Sequence, residues 1–337
     1  MIEMDLQKRI LSFVRLGSRF PELLNTNLPD QTFSENGWFT RTEISRAFQS
    51  WSSLLTIENL TRWTRPYNLP DHPTTRNVLV ITAGNIPLVG FHDFVSVLLC
   101  GHRFIGKLSS RDDLLLARLA EELIRMEPGF ADLILLERST IAPTAVIATG
   151  SDNSVRYFQS EYDHFPRIIR KNRSSAAILD GTETDEELFG LAADILEYYG
   201  LGCRSVSHLY LPADYSLERL AGIIAGYRKI EPCALQSDNL VYQRARMAIL
   251  EMPVTDAVNV LLTASEGLHS AIGVVHYSYY KSSVLLLDQL KHQESDIQCL
   301  MGHQSINASL LPFGTAQKPE LWDYADKVDT MEFLVNL

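Results

Sequence analysis

Among the residues able to do covalent chemistry, Cys203 has the most suggestive surroundings. It lies in Gly200-Leu201-Gly202-Cys203-Arg204-Ser205. Two glycines there permit close backbone approach to a ligand, and a neighbouring arginine favours the thiolate, the form of cysteine that attacks electrophiles. The same pattern suits a small buried hydrophobe beside a helix cap, so the motif alone leaves both readings open. Cys100, Cys233 and Cys299 lie in apolar or unmarked settings and read as structural. With no CxxC pair, the four cysteines signal neither a disulfide framework nor a zinc site. The nine histidines contain no HExxH and no ligand cluster visible from spacing, so no metal is expected. His208 follows the cysteine by five residues along an extended segment, which carries it away from the thiol, and it is not assigned as a base.

The elements around these residues alternate in type. Residues 1 to about 75 read as helical, with Leu6, Ile10, Leu11 and Val14 at helical spacing and a Trp-rich stretch at Trp51 and Trp63. From Asn77 the pattern becomes a buried strand, Val78-Leu79-Val80-Ile81, ending in Thr82-Ala83-Gly84-Asn85. An apolar segment follows over residues 91–100, then a strand over 104–108 and a helix opened by Ser110 and Asp112. That helix turns Leu115, Leu119 and Leu123 inward and closes at Gly129. Strand signals recur at 145–148 and 176–179, around a helix beginning near Ser154. Thr184 and Glu187 have capping-box spacing before the stripe Leu188, Leu191, Ile195 and Leu196, with Gly200 as the stop. Residues 207–212 then read as a strand, so Cys203 falls on a helix-to-strand connection, where active-site residues are common. Strands alternating with helices give an α/β class with parallel sheets and crossover helices.

At 337 residues and 46% hydrophobic, the chain can bury a large core and divide into two domains, since single cores stop growing at roughly 250–300 residues. The net charge of −11 argues against nucleic acid, because phosphate binding needs a basic face. The first fifteen residues lack the features of a signal peptide, and no run of about 18 apolar residues suggests a membrane span. A cytoplasmic location is the expectation.

Several short motifs occur in a telling order. Asn85-Ile86-Pro87 follows a strand, Lys107-Leu108-Ser109-Ser110 ends the next, and Thr149-Gly150-Ser151 precedes a helix. Then come the Cys203 loop, Glu266-Gly267-Leu268 and Pro312-Phe313-Gly314. From about residue 76 onward this series resembles the aldehyde-dehydrogenase superfamily, which carries Asn-x-Pro, Lys-Pro-Ser-Glu, Gly-Ser, Gly-Gln-x-Cys, Glu-x-Phe-Gly-Pro and Pro-Phe-Gly in that order. A closer resemblance is to the acyl-CoA reductases that include the fatty-acid reductase subunit of luminous bacteria. It rests on residues 101–110, 200–212 and 312–317, with Tyr324-Ala325-Asp326 and Asp329-Thr330.

The resemblance implies an aldehyde-dehydrogenase-like fold: two Rossmann-like domains with parallel sheets and a cleft between them. Residues 1–171 would form an N-terminal segment and nicotinamide-binding domain to which 311–337 return, and 172–310 the catalytic cysteine domain. It also implies reduction of an acyl-CoA or acyl-carrier thioester to an aldehyde through an acyl group on Cys203. The Asn85 side chain and the Cys203 N–H would hold the oxyanion. Lys107, Ser109, Gly150 and Ser151 would hold the adenosine and phosphates, and Glu266 the nicotinamide ribose. Asn85 also suits an ordinary turn, Gly150-Ser151 a simple helix cap, and Glu266 an exposed loop carboxylate.

Three departures from the superfamily pattern carry information. The carboxylate that oxidative members place about 34 residues before the cysteine, to activate water, falls here on Ile169, with only Arg170, Lys171 and Arg173 nearby. That favours acyl transfer over hydrolysis. Ser110 replaces the glutamate of Lys-Pro-Ser-Glu and Arg111 follows it, which favours NADPH, with NADH still open and Arg111 equally readable as a solvated side chain. Leu201 replaces the glutamine of the cysteine loop. A hydrolytic NAD(P)-dependent aldehyde dehydrogenase and a non-catalytic acyl-carrying relative are the alternatives. Related folds pair through strands near the C-terminus, and the apolar residues 331–335 are compatible with such a homo-oligomer or with an edge strand.

Overall fold

The computed structural model describes residues 4–136 and 141–337; expectations that touch residues 1–3 and 137–140 lie outside the described residues. The chain forms two compact units, one of Met1–Asn172 with Glu320–Leu337 and one of Arg173–Pro319.

In the first unit, helices at Leu6–Leu24, Leu28–Glu35, Arg41–Leu54 and Ile57–Thr64 precede the sheet. The buried stripe of the first helix is Ile10, Phe13, Leu16 and Phe20, so Leu6, Leu11 and Val14 do not form its inner face. Aromatic contacts decide this. Phe13 packs on Phe94 and Phe130, and Phe20 on Phe48 and Phe91, at centroid separations of 5.0–6.2 Å. The strands are β1 (Asn77–Ile81), β2 (Arg103–Lys107), β3 (Ile134–Leu135), β4 (Ala145–Thr149) and β5 (Arg167–Arg170). They lie in the order β3-β2-β1-β4-β5, all parallel. Burial on both faces explains the unbroken apolar run of β1. β5, Arg-Ile-Ile-Arg at the sheet edge, has too few apolar residues to stand out in the sequence.

Two expectations for the following helix are corrected. It spans Leu114–Met126 with Asp113 at its cap position, while the Asp112 carboxylate turns inward instead. Its last residue is Met126, and Gly129 belongs to a separate short turn at Pro128–Phe130. The apolar tail is neither a pairing strand nor an edge strand. It is a helix, Thr330–Val335, capped by Asp329, and it buries Met331 and Leu334.

The second unit contains β6 (Ser174–Ile178), β7 (Val206–Pro212), β8 (Thr255–Asp256), β9 (Leu261–Ala264), β10 (Val274–Tyr280) and β11 (Ile297–Gly302). The order is β11-β6-β7-β10-β9-β8. Every pair is parallel except β8 with β9, which is antiparallel, so this sheet is mixed at one edge. Side-chain alternation divides its core: Ala177, Leu209 and Leu211 face one cluster, Ala176, Ile178 and Tyr210 the other. Residues 311–319 stay with this unit, because the amides of Gly314 and Ala316 donate to Asp194 at 2.6 and 2.9 Å. No described helix is long and apolar enough to cross a membrane.

Candidate active site

In the first unit, three loops leave the carboxyl ends of adjacent strands. Ile81 of β1 pairs with Lys107 of β2 on one side and Ala148 of β4 on the other. The loops carrying Asn85, Ser109 and Gly150 therefore emerge side by side, where the strand order reverses about β1. Open parallel sheets bind ligands at this position. The Ser109 N–H donates to the Thr82 hydroxyl at 3.1 Å, joining the β1 and β2 loops. Gly84 is needed there: a Cβ on it would lie 2.4 Å from Ser109 Oγ and 2.9 Å from Arg111 Cβ. Lys107, Ser110 and Arg111 are exposed. Ser151 caps the helix Asp152–Glu161, its hydroxyl accepting from the Ser154 amide.

Half-buried Asn85 sits on the loop between β1 and the helix Phe91–Leu99. Three residues on, buried Leu88 has a left-handed backbone at φ 60°. Such strain in a non-glycine persists only where the surroundings enforce it. Here the Leu88 N–H donates to the buried carboxylate of Asp112 at 2.9 Å. Burial pushes the Asp112 carboxyl up to about 7, against the lowering effect of that amide.

The second unit repeats this arrangement around the cysteine. The capping box of Thr184 and Glu187 opens the helix Asp185–Leu196, whose apolar stripe is buried as expected. The helix ends at Leu196, four residues before Gly200. Buried Tyr198 and Tyr199 follow with φ of 53° and 54°. Cys203 then lies on an exposed turn immediately before β7. Its carbonyl accepts from the Ser175 hydroxyl at 2.9 Å. Arg204 Nε donates to the Ala316 carbonyl at 2.5 Å, and Gln317 Nε2 to the Ser205 hydroxyl at 3.1 Å. The Pro312-Phe313-Gly314 region thus braces the cysteine loop.

That brace depends on two features the sequence did not reveal. A Cβ on Gly190 would lie 3.0 Å from the Gly314 nitrogen, so this glycine lets the segment settle on the helix one turn before Asp194. Asp194, 1% exposed, then accepts from Gly314 and Ala316. Burial raises its carboxyl to about 7, and the two amides oppose the shift.

Exposed Glu266 lies on the loop that follows β9. The His208 and His276 rings approach the Gly267 carbonyl at 3.0 and 2.7 Å, and the Ser207 hydroxyl donates to the Leu268 carbonyl at 3.0 Å. The loop is thereby drawn onto β7, the strand Cys203 precedes. His208 itself is buried and contacts the Ser278 hydroxyl at 2.9 Å. Burial lowers it to about 4, which suits a neutral loop clamp. Cys100, Cys233 and Cys299 are buried. Elsewhere in this unit, Asp180, Glu183 and His303 group ligand-type atoms within 4.8 Å. Spacing concealed this group, because Asp180 and His303 are 123 residues apart.

Comparison with known proteins accords with this geometry. Residues 72–237 match the family described as acyl-CoA reductase (LuxC). No curated protein matches the sequence. Among solved structures, an oxidoreductase from Marinobacter aquaeolei aligns over 94% of this chain and 79% of its own, with a TM-score of 0.66 at 10% identity. An aldehyde dehydrogenase from Bacillus cereus, solved as an NAD+ complex, covers 91% and 75%, with 0.64 at 14% identity. The aldehyde dehydrogenase KauB from Pseudomonas aeruginosa covers 89% and 72%, with 0.64 at 13% identity. At such identities the structural likeness speaks for the fold. Over residues 72–237 the sequence is thus similar to the acyl-CoA reductase (LuxC) family, and the chain has the aldehyde-dehydrogenase fold.

Proposed function

We propose that this protein reduces an acyl thioester, acyl-CoA or an acyl-carrier conjugate, to an aldehyde with NADPH through an acyl-enzyme at Cys203. The observation that carries the reading is an exposed cysteine on a turn braced on both flanks, within the residues 72–237 that match the acyl-CoA reductase family.

The Cys203 thiolate attacks the thioester carbonyl and the C–S bond to CoA breaks. CoA leaves as a thiol after taking up a proton, and the acyl group stays on Cys203. Asn85 serves as an oxyanion donor with the Cys203 N–H; removing one such donor typically costs about 2.7–4 kcal/mol of barrier. When bound, the reduced nicotinamide supplies the hydride that takes the acyl group to the aldehyde level. Collapse of the resulting thiohemiacetal returns the Cys203 thiol.

The first unit's loops fit such a cofactor. The start of the helix Asp152–Glu161 offers backbone N–H groups to a pyrophosphate beside the β1 loop, and exposed Lys107 adds a cation at the neighbouring strand end. At the end of β2, Ser110 and Arg111 suit a 2′-phosphate better than a carboxylate would. Glu266, on its clamped loop, is the proposed partner of the nicotinamide ribose.

The test follows NADPH absorbance with acyl-CoA thioesters of varied chain length, comparing the native protein with Cys203→Ala. Oxidation that releases CoA and aldehyde and needs Cys203 supports the reading. Aldehyde oxidation without thioester reduction would turn it toward a hydrolytic dehydrogenase. No change in nicotinamide fluorescence at all would favour a non-catalytic relative.

A further inference from the structure

The carboxyl ends of β6 and β11 carry a cluster that the proposed reaction does not use. The two strands are parallel neighbours with Ile178 opposite Gly302. Asp180 and Glu183 follow the first and His303 the second. One carboxylate oxygen from each acid and one ring nitrogen of His303 lie within 4.8 Å of one another.

Nearly every oxygen in the cluster is engaged. Asp180 Oδ1 accepts from the backbone and hydroxyl of Thr182 at 2.9 and 2.6 Å, and Oδ2 faces His303 Nδ1 at 2.9 Å. Glu187 faces His303 Nε2 at 3.0 Å, and its other oxygen accepts from Thr184 at 2.8 and 2.9 Å. Glu183 Oε1 accepts from the amides of Asp180 and Gly181 at 2.6 and 3.2 Å. The exception is Glu183 Oε2, which has no hydrogen-bond partner among the described residues although Glu183 is only 2% exposed. A buried carboxylate oxygen without a partner is costly. Even a protonated His303 faces two carboxylates, Asp180 and Glu187, and leaves Glu183 Oε2 without a hydrogen-bond partner among the described residues.

We propose that Asp180, Glu183 and His303 bind a divalent cation of the manganese or zinc type. Two carboxylate oxygens and one imidazole nitrogen suit such ions, and the ligand atoms of a tetrahedral site stand about 3.4 Å apart. Binding would draw the ligand atoms, which lie within 4.8 Å of one another, to that closer spacing. The ion displaces the proton from the His303 nitrogen it binds and partners Glu183 Oε2. Its role is structural. The His303 ring packs 5.6 Å from that of Phe313, and the next residues, Gly314 to Gln317, brace the cysteine loop.

The test uses the intact chain, stripped with a chelator and titrated with Mn2+, because thiolates such as Cys203 compete poorly for that ion. The expected result is one saturable site per chain and a rise of several degrees in Tm when Mn2+ exceeds Kd about a hundredfold. Glu183→Gln and His303→Ala each weaken binding tenfold or more, and Cys203→Ala leaves it unchanged. In chelator, Glu183→Gln melts no lower than the native chain, which separates a lost ligand from a lost fold. Should that variant fail to fold, His303→Ala decides alone. Absence of saturable binding below about 1 mM, or equal affinity in the native and His303→Ala chains, overturns the proposal.

Discussion

Each unit fixes its candidate site loop with the same two devices, a left-handed non-glycine backbone and a buried carboxylate raised to about 7. In the first, Asp112 receives the single amide of Leu88, 24 residues away, and its Oδ1 has no partner among the described residues. In the second, Asp194 receives two amides, from Gly314 and Ala316, 120 and 122 residues away. The strained residues are Leu88 in one case and Tyr198 with Tyr199 in the other. The first unit's clamp is short in sequence and half satisfied; the second's is long-range and engages both oxygens. The loop carrying the proposed nucleophile is thus braced by parts of the chain distant in sequence, whereas the proposed cofactor loops are set by neighbouring strand ends.

Removing the two carboxylates should separate them. Asp194→Ala leaves two backbone N–H groups without their acceptor, at about 1–3 kcal/mol each, and frees the segment that braces Arg204 and Ser205. The expected loss is roughly 2–5 kcal/mol in denaturant unfolding, together with most of the thioester-dependent activity. Asp112→Ala loses one amide partner but also relieves a buried, half-satisfied carboxylate, and should cost about 1–2 kcal/mol or less. Equal losses would mean that the two clamps are energetically alike.

The pH dependence sharpens the contrast. Burial is the main cause of both raised values, and the amides oppose it. The folded chain therefore keeps protons that the unfolded chain releases near an ordinary carboxylate pKa. The stability from these groups is complete below about pH 4 and is lost as pH rises through about 7. Asp112→Asn imitates the protonated form, so its Tm should match the native value near pH 5 and exceed it near pH 8. An asparagine at 194 has only one acceptor oxygen for two amides. Its Tm should fall below native near pH 5 and approach it near pH 8. Parallel curves for native and both variants would remove burial as the cause.

This division also marks what the sequence made legible. Strand β1, the Thr184 capping box and the helix beginning after Ser151 could be read because hydrophobic period and caps act over a few residues. The loops of Asn85, Ser109 and Gly150 follow directly, since strand ends place them. Asp112 was misread as a helix opener because an acidic residue before an apolar run looks the same whether it caps or turns inward. Asp194 was invisible, one polar residue in a helix whose neighbours are buried, with partners five strands and more than a hundred residues further along the chain. The tail over 331–335 has strand composition, yet its Asp329 cap and the burial of Met331 and Leu334 make it a helix.

The smaller predictions lie in the first unit's loops. Gly84→Ala would set a Cβ 2.4 Å from Ser109 Oγ and 2.8 Å from Ser109 Cβ. It should cost about 1–3 kcal/mol of stability and weaken the proposed nicotinamide binding. Arg111→Ala should do less still. Its side chain is exposed, so stability should stay within about 0.5 kcal/mol of native. The proposed contact with a 2′-phosphate is one charge-assisted pair, and losing it should lower the ratio of kcat/KM for NADPH to that for NADH about tenfold, through KM for NADPH. Ser110→Glu should move the ratio the same way by restoring a carboxylate for the ribose hydroxyls. If neither variant changes the ratio, these two positions do not choose the cofactor, and the first unit's loops hold only what both nicotinamides share.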